Sequence, residues 1–203
     1  VQSEDFRSFR YFRVFRTLSS FSHITPMNLS IPDPSLILLV GTAGSGKSTF
    51  ARRHFKPTEV LSSDFFRGLI ADDESDQAVT ADAFHALSLI AAARLRNRRL
   101  TAIDATNVQR RARRPLLRLA RRHQTPLVAI VFDLPEAICL ERDAERAERQ
   151  VGAAVIHEQF QRLQQSLLTL PHEGFQSVFI FRSPDEISAA MIERFTVAPS
   201  AGL

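Results

Sequence analysis

The feature that most restricts the fold is a short apolar run followed at once by a glycine-rich loop. Leu36, Ile37, Leu38, Leu39 and Val40 are aliphatic at every position, which predicts a strand over 36–40 buried on both faces. Gly41-Thr42-Ala43-Gly44-Ser45-Gly46-Lys47-Ser48 comes next and matches G-x-x-x-x-G-K-[ST] at every fixed position. Three of the 7 glycines of the chain lie in this loop. A helix is expected over 47–54, stopped by Pro57. Strand, loop and helix in that order form a cradle. The glycines let backbone N–H groups turn inward, and the helix N-terminus adds its positive end to the same place. Gly41, Thr42, Ala43, Gly44, Ser45, Gly46, Lys47, Ser48 and Thr49 are therefore the expected triphosphate-binding residues. Lys47 supplies a mobile charge for the β- and γ-phosphates, and Ser48 is a candidate Mg²⁺ ligand.

The rest of the chain alternates strand and helix. Strands are expected at 60–63, 100–103, 127–132 and 175–181, each short and mostly apolar. Helices are expected at 81–98, 110–122, 136–150, 155–168 and 184–195, the last opened by Ser183. Five such strands separated by helices imply an α/β fold: a parallel five-stranded sheet with helices on both faces. The globular domain is expected to span 27–195, with 196–203 as a tail.

Residues 1–26 do not share this pattern. Phe6-Arg7, Phe9-Arg10, Phe12-Arg13 and Phe15-Arg16 repeat every three residues, a period that fits neither a strand nor a helical stripe. The expectation is a disordered or mis-assigned extension, Met27 standing directly before the globular pattern; a basic aromatic arm is the alternative. The single cysteine, Cys139, cannot form an internal disulfide. No apolar run approaches the roughly 20 residues that cross a bilayer. A cytoplasmic protein without membrane contact is expected. Of the 26 Lys+Arg residues only Lys47 and Lys56 are lysines, yet the net charge is only +4. Arginine suits phosphate contacts, but on this scale it equally reflects base composition.

Two P-loop classes can be set aside. With lysines only at 47 and 56 there is no N-K-x-D guanine motif, and AAA+ machines need a second helical domain for which the chain has no room. A small phosphotransferase or a nucleotide-dependent switch remains. Asp64 ends the strand after the P-loop helix, and Arg67 follows three residues on. A carboxylate at a strand's carboxyl end can take the proton of an attacking hydroxyl, with the arginine orienting it or binding an acceptor phosphate. The competing expectation is that Ser62, Ser63 or Asp64 caps a turn. Asp104, at the head of Asp104-Ala105-Thr106-Asn107, is either a Mg²⁺-holding acid or a helix cap. Arg142, Arg146 and Arg149 share one face of the expected 136–150 helix, interleaved with Glu141, Asp143, Glu145 and Glu148. They make either a solvated face or a lid whose arginines close over the triphosphate.

The run from Gly41 through Lys56-Pro57-Thr58-Glu59-Val60 to Ser62-Ser63-Asp64 resembles the kinase module of bacterial polynucleotide kinase-phosphatase, an RNA-repair enzyme. So do Asp72-Asp73-Glu74, Asp76-Gln77, Val108 after Asp104-Ala105-Thr106-Asn107, and Arg149-Gln150-Val151. The resemblance covers roughly 27–195. It implies a P-loop kinase fold with an arginine-bearing lid, ATP and Mg²⁺ as cofactors, and a polynucleotide 5′-hydroxyl end, RNA or DNA, as acceptor. It makes Lys47, Asp64, Arg67, Arg142 and Arg146 the catalytic set, with Asp64 as general base. Arg149 joins the ATP-binding residues, Arg67 and Gln77 contact the acceptor, and Ser48 and Asp104 serve the metal. The phosphatase and ligase modules normally joined to that kinase are absent from this chain, which makes it free-standing, a fragment, or a relative with another acceptor. A homodimer is open to it.

The expected function is an ATP-dependent polynucleotide 5′-hydroxyl kinase. The alternatives are a small-metabolite kinase on the same scaffold and an interaction module with slow ATP hydrolysis.

Overall fold

The computed structural model describes residues 13–14, 27–146 and 150–197. Arg149, the tail beyond 197 and all of the 1–26 extension except 13–14 lie outside the described residues. In chain order the elements are β1 (Arg13–Val14), β2 (Asn28–Asp33), β3 (Leu36–Gly41), α1 (Lys47–His54), β4 (Val60–Ser62), α2 (Ser63–Ala71), α3 (Thr80–Arg96) and β5 (Thr101–Asp104). There follow α4 (Arg110–Arg122), β6 (Leu127–Phe132), α5 (Glu136–Ala144), α6 (Ala153–Leu167), β7 (Ser177–Phe181), α7 (Pro184–Ala189) and β8 (Met191–Thr196).

The five expected strands form one parallel sheet in the order β7-β6-β3-β5-β4, with β1 paired to the outer edge of β7. β3 is central and buried at every residue, as its unbroken aliphatic composition requires. Its side chains divide by period two. Leu36, Leu38 and Val40 enter the core beneath α2, α3, α4 and α6, whereas Ile37 and Leu39 face α1 and Phe50. Phe50 meets Phe132 and Phe181 at centroid separations of 5.4 and 5.5 Å.

The chain reverses its sheet order at β3, because β5 and β4 lie to one side and β6 and β7 to the other. A crevice opens at such a switch point beyond the carboxyl ends of the strands. Register places the ends together: Leu39 pairs with Asp104, Asp104 with Ser62, and Gly41 with Phe132.

Three expectations need correction. Residues 184–195 are not one helix: α7 ends at Ala189, and β8 pairs in parallel with β2 as a separate two-stranded sheet, Asn28 with Met191 through Asp33 with Thr196. Met-Ile-Glu-Arg-Phe-Thr alternates in burial, and β2 supplies Leu29 and Ile31, both fully buried, on the core beside it. Arg194 locks this sheet to the domain through two bonds to Glu59, at 2.9 and 2.8 Å. The 136–150 helix stops at Ala144, because the buried Asp143 carboxylate accepts the Val151 and Gly152 amides and folds the chain back. Finally, Ser63 belongs to α2 and not to the preceding strand.

Candidate active site

The loop between β3 and α1 is held open by backbone geometry that only glycine accommodates easily. Gly44 and Gly46 have φ of 76° and 92°. A Cβ on Gly44 would also overlap the Cys139 carbonyl in α5. The loop is further tied by the Thr42 hydroxyl to Cys139 Sγ at 3.1 Å and by the Ala43 amide to Gln159 Oε1 at 2.8 Å. Gly41 donates its amide to the Thr106 carbonyl at 2.9 Å, which joins the loop to the end of β5.

Lys47, in the first turn of α1, is 7% exposed. Its ammonium donates to the Thr42 carbonyl at 2.6 Å and to Ser45 Oγ at 3.3 Å. Burial is the main reason its pKa falls from 10.5 to about 8; Asp104, Cys139 and Asp64 pull it back up, and Arg146 adds to the fall. A cation with so little water around it is available for phosphate oxygens.

Asp104 is 6% exposed at the end of β5. Burial pushes its carboxyl up from the ordinary value, opposed by the hydrogen bond from the Ser48 hydroxyl and by the Lys47 charge. Ser48 and Asp104 thus place two hard oxygen donors together, within reach of the Lys47 charge. Among the described residues there is no cluster of three or more His, Cys, Asp or Glu side chains that could hold a metal alone. Mg²⁺ at a triphosphate draws most of its ligands from phosphate and water and needs one or two from protein, which Ser48 and Asp104 would supply.

Asp64 and Arg67 occupy successive turns of α2. Ser62 caps this helix, accepting the Phe65 amide, so the capping role falls to Ser62 and Asp64 lies one step inside. Arg67 is 4% exposed. It bonds Asp64 Oδ1 and, through Nε, the Glu74 carbonyl at 2.7 Å. Ser63 Oγ also donates to Asp64 Oδ1, at 3.2 Å. The Asp64 side chain remains 42% exposed and lies close enough to influence both Lys47 and Asp104. A buried guanidinium therefore holds an accessible carboxylate within electrostatic reach of Lys47 and Asp104.

On the opposite side, a cavity of about 330 Å³ is walled by Gly44, Gly46, Thr49, Phe50, Arg53, Arg142, Arg146, Pro184, Ile187 and Ser188. A Cβ at Gly46 would lie 3.6 Å from the Arg142 guanidinium. Arg146 lies two residues past the helix end, not on its face, and is 3.8 Å from Asp143. Both arginines nevertheless line one cleft with the P-loop. Gln77 stands apart from this group, bonding the Ser75 carbonyl and the Thr80 hydroxyl in the turn before α3.

The sequence reading did not reach several supports of the site. Gln159 on α6 carries no local signal, since a lone glutamine on an amphipathic helix has no distinctive neighbours. The α7 wall of the cleft, Pro184, Ile187 and Ser188, was hidden by the expectation of one long helix. Arg113 was one arginine among many, yet it is fully buried and bonds both Glu173 oxygens, at 2.9 and 2.5 Å, and the Asn107 carbonyl at 2.6 Å. Asn107 in turn donates to the Leu39 carbonyl at 2.9 Å, so this pair braces the loop after Asp104 against β3.

Comparison with known proteins accords with this geometry. The chain is similar to a chain of the Pnkp1/Rnl/Hen1 RNA repair complex, with 28% identity and a TM-score of 0.60 over 67% of this chain and 46% of that one. It thus spans about half the length of that relative. A putative kinase from Chloroflexus aurantiacus J-10-fl has the same fold at 18% identity and a TM-score of 0.56, covering 74% of this chain and 85% of that one. So does a chain of the AvrRxo1-ORF1:ORF2 complex with ATP, at 14% identity and a TM-score of 0.50, covering 68% of this chain and 49% of that one. No curated protein matches the sequence. Residues 36–170, which run from β3 past α6, match the family model described as an AAA domain. Although the sequence set AAA+ machines aside, the chain belongs to that AAA-domain family, and it carries its P-loop in a kinase-type fold.

Proposed function

We propose that the chain is an ATP-dependent polynucleotide 5′-hydroxyl kinase. The observation that carries this reading is the convergence of a buried Lys47 with an accessible Asp64 that a buried Arg67 holds in place. A nucleotide switch has no use for a carboxylate braced on the acceptor side; a hydroxyl acceptor does. The similarity to the RNA repair complex supports a polynucleotide as that acceptor.

The P-loop amides and Lys47 bind the β- and γ-phosphates of ATP, and the cavity beside Phe50 and Ile187 takes the nucleoside. Ser48 and Asp104 are the residues that would hold Mg²⁺, which supplies charge neutralisation for the triphosphate when bound. The acceptor 5′-oxygen forms a bond to the γ-phosphorus while the bond from that phosphorus to the β,γ-bridging oxygen breaks. ADP leaves, and the hydroxyl proton passes to Asp64. Arg142 and Arg146, reaching over the loop from the lid side, neutralise charge on the transferring group.

The test is transfer of labelled γ-phosphate from ATP to short 5′-hydroxyl RNA and DNA strands, with Asp64→Asn in parallel. Transfer by the wild type and a loss of about 100-fold or more in the variant, with ATP binding retained, is the expected result. Full activity in Asp64→Asn removes the base from the mechanism. Transfer to small hydroxylated metabolites but to neither strand replaces the acceptor.

A further inference from the structure

α4 has a composition unlike any other helix of the chain. Its sequence, Arg-Arg-Ala-Arg-Arg-Pro-Leu-Leu-Arg-Leu-Ala-Arg-Arg, contains no acidic residue, and its first turn has none to complement the helix dipole. Leu116, Leu117, Ala120 and the buried Arg113 face the core. Arg110, Arg111, Arg114, Arg118 and Arg122 are all exposed on the other side. Positions 110, 114, 118 and 122 step by four residues, so these four form one slanting stripe with a spacing of about 6 Å along the axis. Each neighbouring pair in the stripe is a like-charge pair, which weakens a helix standing alone. Among the described residues none of these five arginines makes an ion pair.

α5 is the contrast within the same molecule. There Glu136, Glu141, Asp143 and Glu145 surround Arg142 and Arg146. Base composition would burden both helices equally, yet of these two only α4 is left without acids; the shorter α1 also lacks them but carries far fewer arginines. The placement of α4 gives the reason. β5 lies between β3, which carries the P-loop, and β4, which leads to Asp64. The chain leaves β5 at Asp104, passes Thr106, which accepts the Gly41 amide, and enters α4 at Arg110. A stripe of uncompensated arginines about 20 Å long thus begins at the rim of the crevice and runs away from it.

We infer that the exposed face of α4 is a track for the phosphate backbone of the acceptor strand, carrying nucleotides beyond the reacting 5′ end. This rests on the polynucleotide-kinase reading of the crevice and extends it: the acceptor is held by a run of phosphates and not by its terminal nucleotide alone. Arginine binds successive phosphates without reading sequence, so the track favours length over base identity.

The experiment compares the wild type with the fourfold variant Arg110→Gln, Arg114→Gln, Arg118→Gln, Arg122→Gln. All four sites are exposed and glutamine has similar helix propensity, so an unchanged melting curve checks the fold. Binding of a fluorescent single-stranded 20-mer bearing a 5′-phosphate is followed by anisotropy across a salt series, without ATP. The variant should bind about tenfold or more weakly, and its log-log salt slope should be shallower by up to about 3. Transfer to a 5′-hydroxyl dinucleotide should be unchanged. Equal affinity and equal salt slope in both proteins overturn the track. Wild type that binds anionic phosphatidylserine vesicles but not the strand also overturns it, in favour of a membrane surface. Wild type that binds the strand through these arginines yet phosphorylates no oligonucleotide supports the track and sinks the kinase reading, so the two failures are distinguishable.

Discussion

Replacing Lys47 by methionine should make the folded protein more stable while abolishing phosphate transfer. Lys47 is 7% exposed, and its pKa falls from 10.5 to about 8. Holding it charged at neutral pH therefore costs the folded state about 3 kcal/mol. Methionine keeps the unbranched shape and the helix propensity. The Thr42 carbonyl keeps the Ser45 amide as a donor at 3.3 Å, so no buried carbonyl is stranded. Part of the gain is returned through Asp104, whose carboxyl is already pushed up by burial and loses the Lys47 charge beside it. The expected net gain is about 1–2 kcal/mol, a rise in Tm of about 2–8 °C for a chain of this size. In an Asp104→Asn background the offset is absent and the gain approaches the full figure.

The sign has a pH signature. Below about 8 Lys47 is charged in both the folded and the unfolded chain, and the penalty is complete. As pH rises from about 8 towards 10.5 the folded state sheds the proton first, so the wild type catches up with the variant. Melting curves by circular dichroism at pH of about 7 and about 9.5, in both backgrounds, make the comparison. A methionine variant that melts below the wild type in both backgrounds at pH 7, or a difference that stays flat with pH, would refute the burial argument.

Three further variants test the supports of the site. Arg113→Ala strips the charged partner from Glu173, whose side chain is 1% exposed and keeps only the Thr169 hydroxyl as a side-chain donor; the loss should be about 3–5 kcal/mol. Arg113→Met with Glu173→Leu should recover much of it, and denaturant titration of both variants decides. Arg142→Ala should lower kcat about tenfold or more, with melting unchanged within about 2 °C; an undiminished kcat would return Arg142 to a structural role on α5.

The legible part of this protein was the part built from neighbours in sequence. An aliphatic run, a glycine-rich loop and a helix start are contiguous, and α1 and α4 begin and end where spacing and breakers place them. The order of the strands about β3 was not legible, because right-handed crossovers fix the hand of each connection but not which strands become neighbours. The Asp64–Arg67 contact was also local, a step of three residues on α2. Failures came where a distant partner outvoted local preference. Residues 191–195 read as a helix because the strand partner of this segment, β2, lies far back in the chain. Asp143 ended α5 by capturing amides eight and nine residues on.

What the sequence determined alone, then, was the phosphate cradle and the class of fold around it, since both depend on backbone geometry written into adjacent residues. Only the tertiary structure decided which of many arginines are buried struts and which stand in water. Arg113 and Arg118 look alike in a basic helix, but one meets Glu173 across the core and the other meets solvent. Charge is a property of the residue; burial and partnership belong to the packed whole, where desolvation makes Arg113 a paired strut and leaves Arg118 in water.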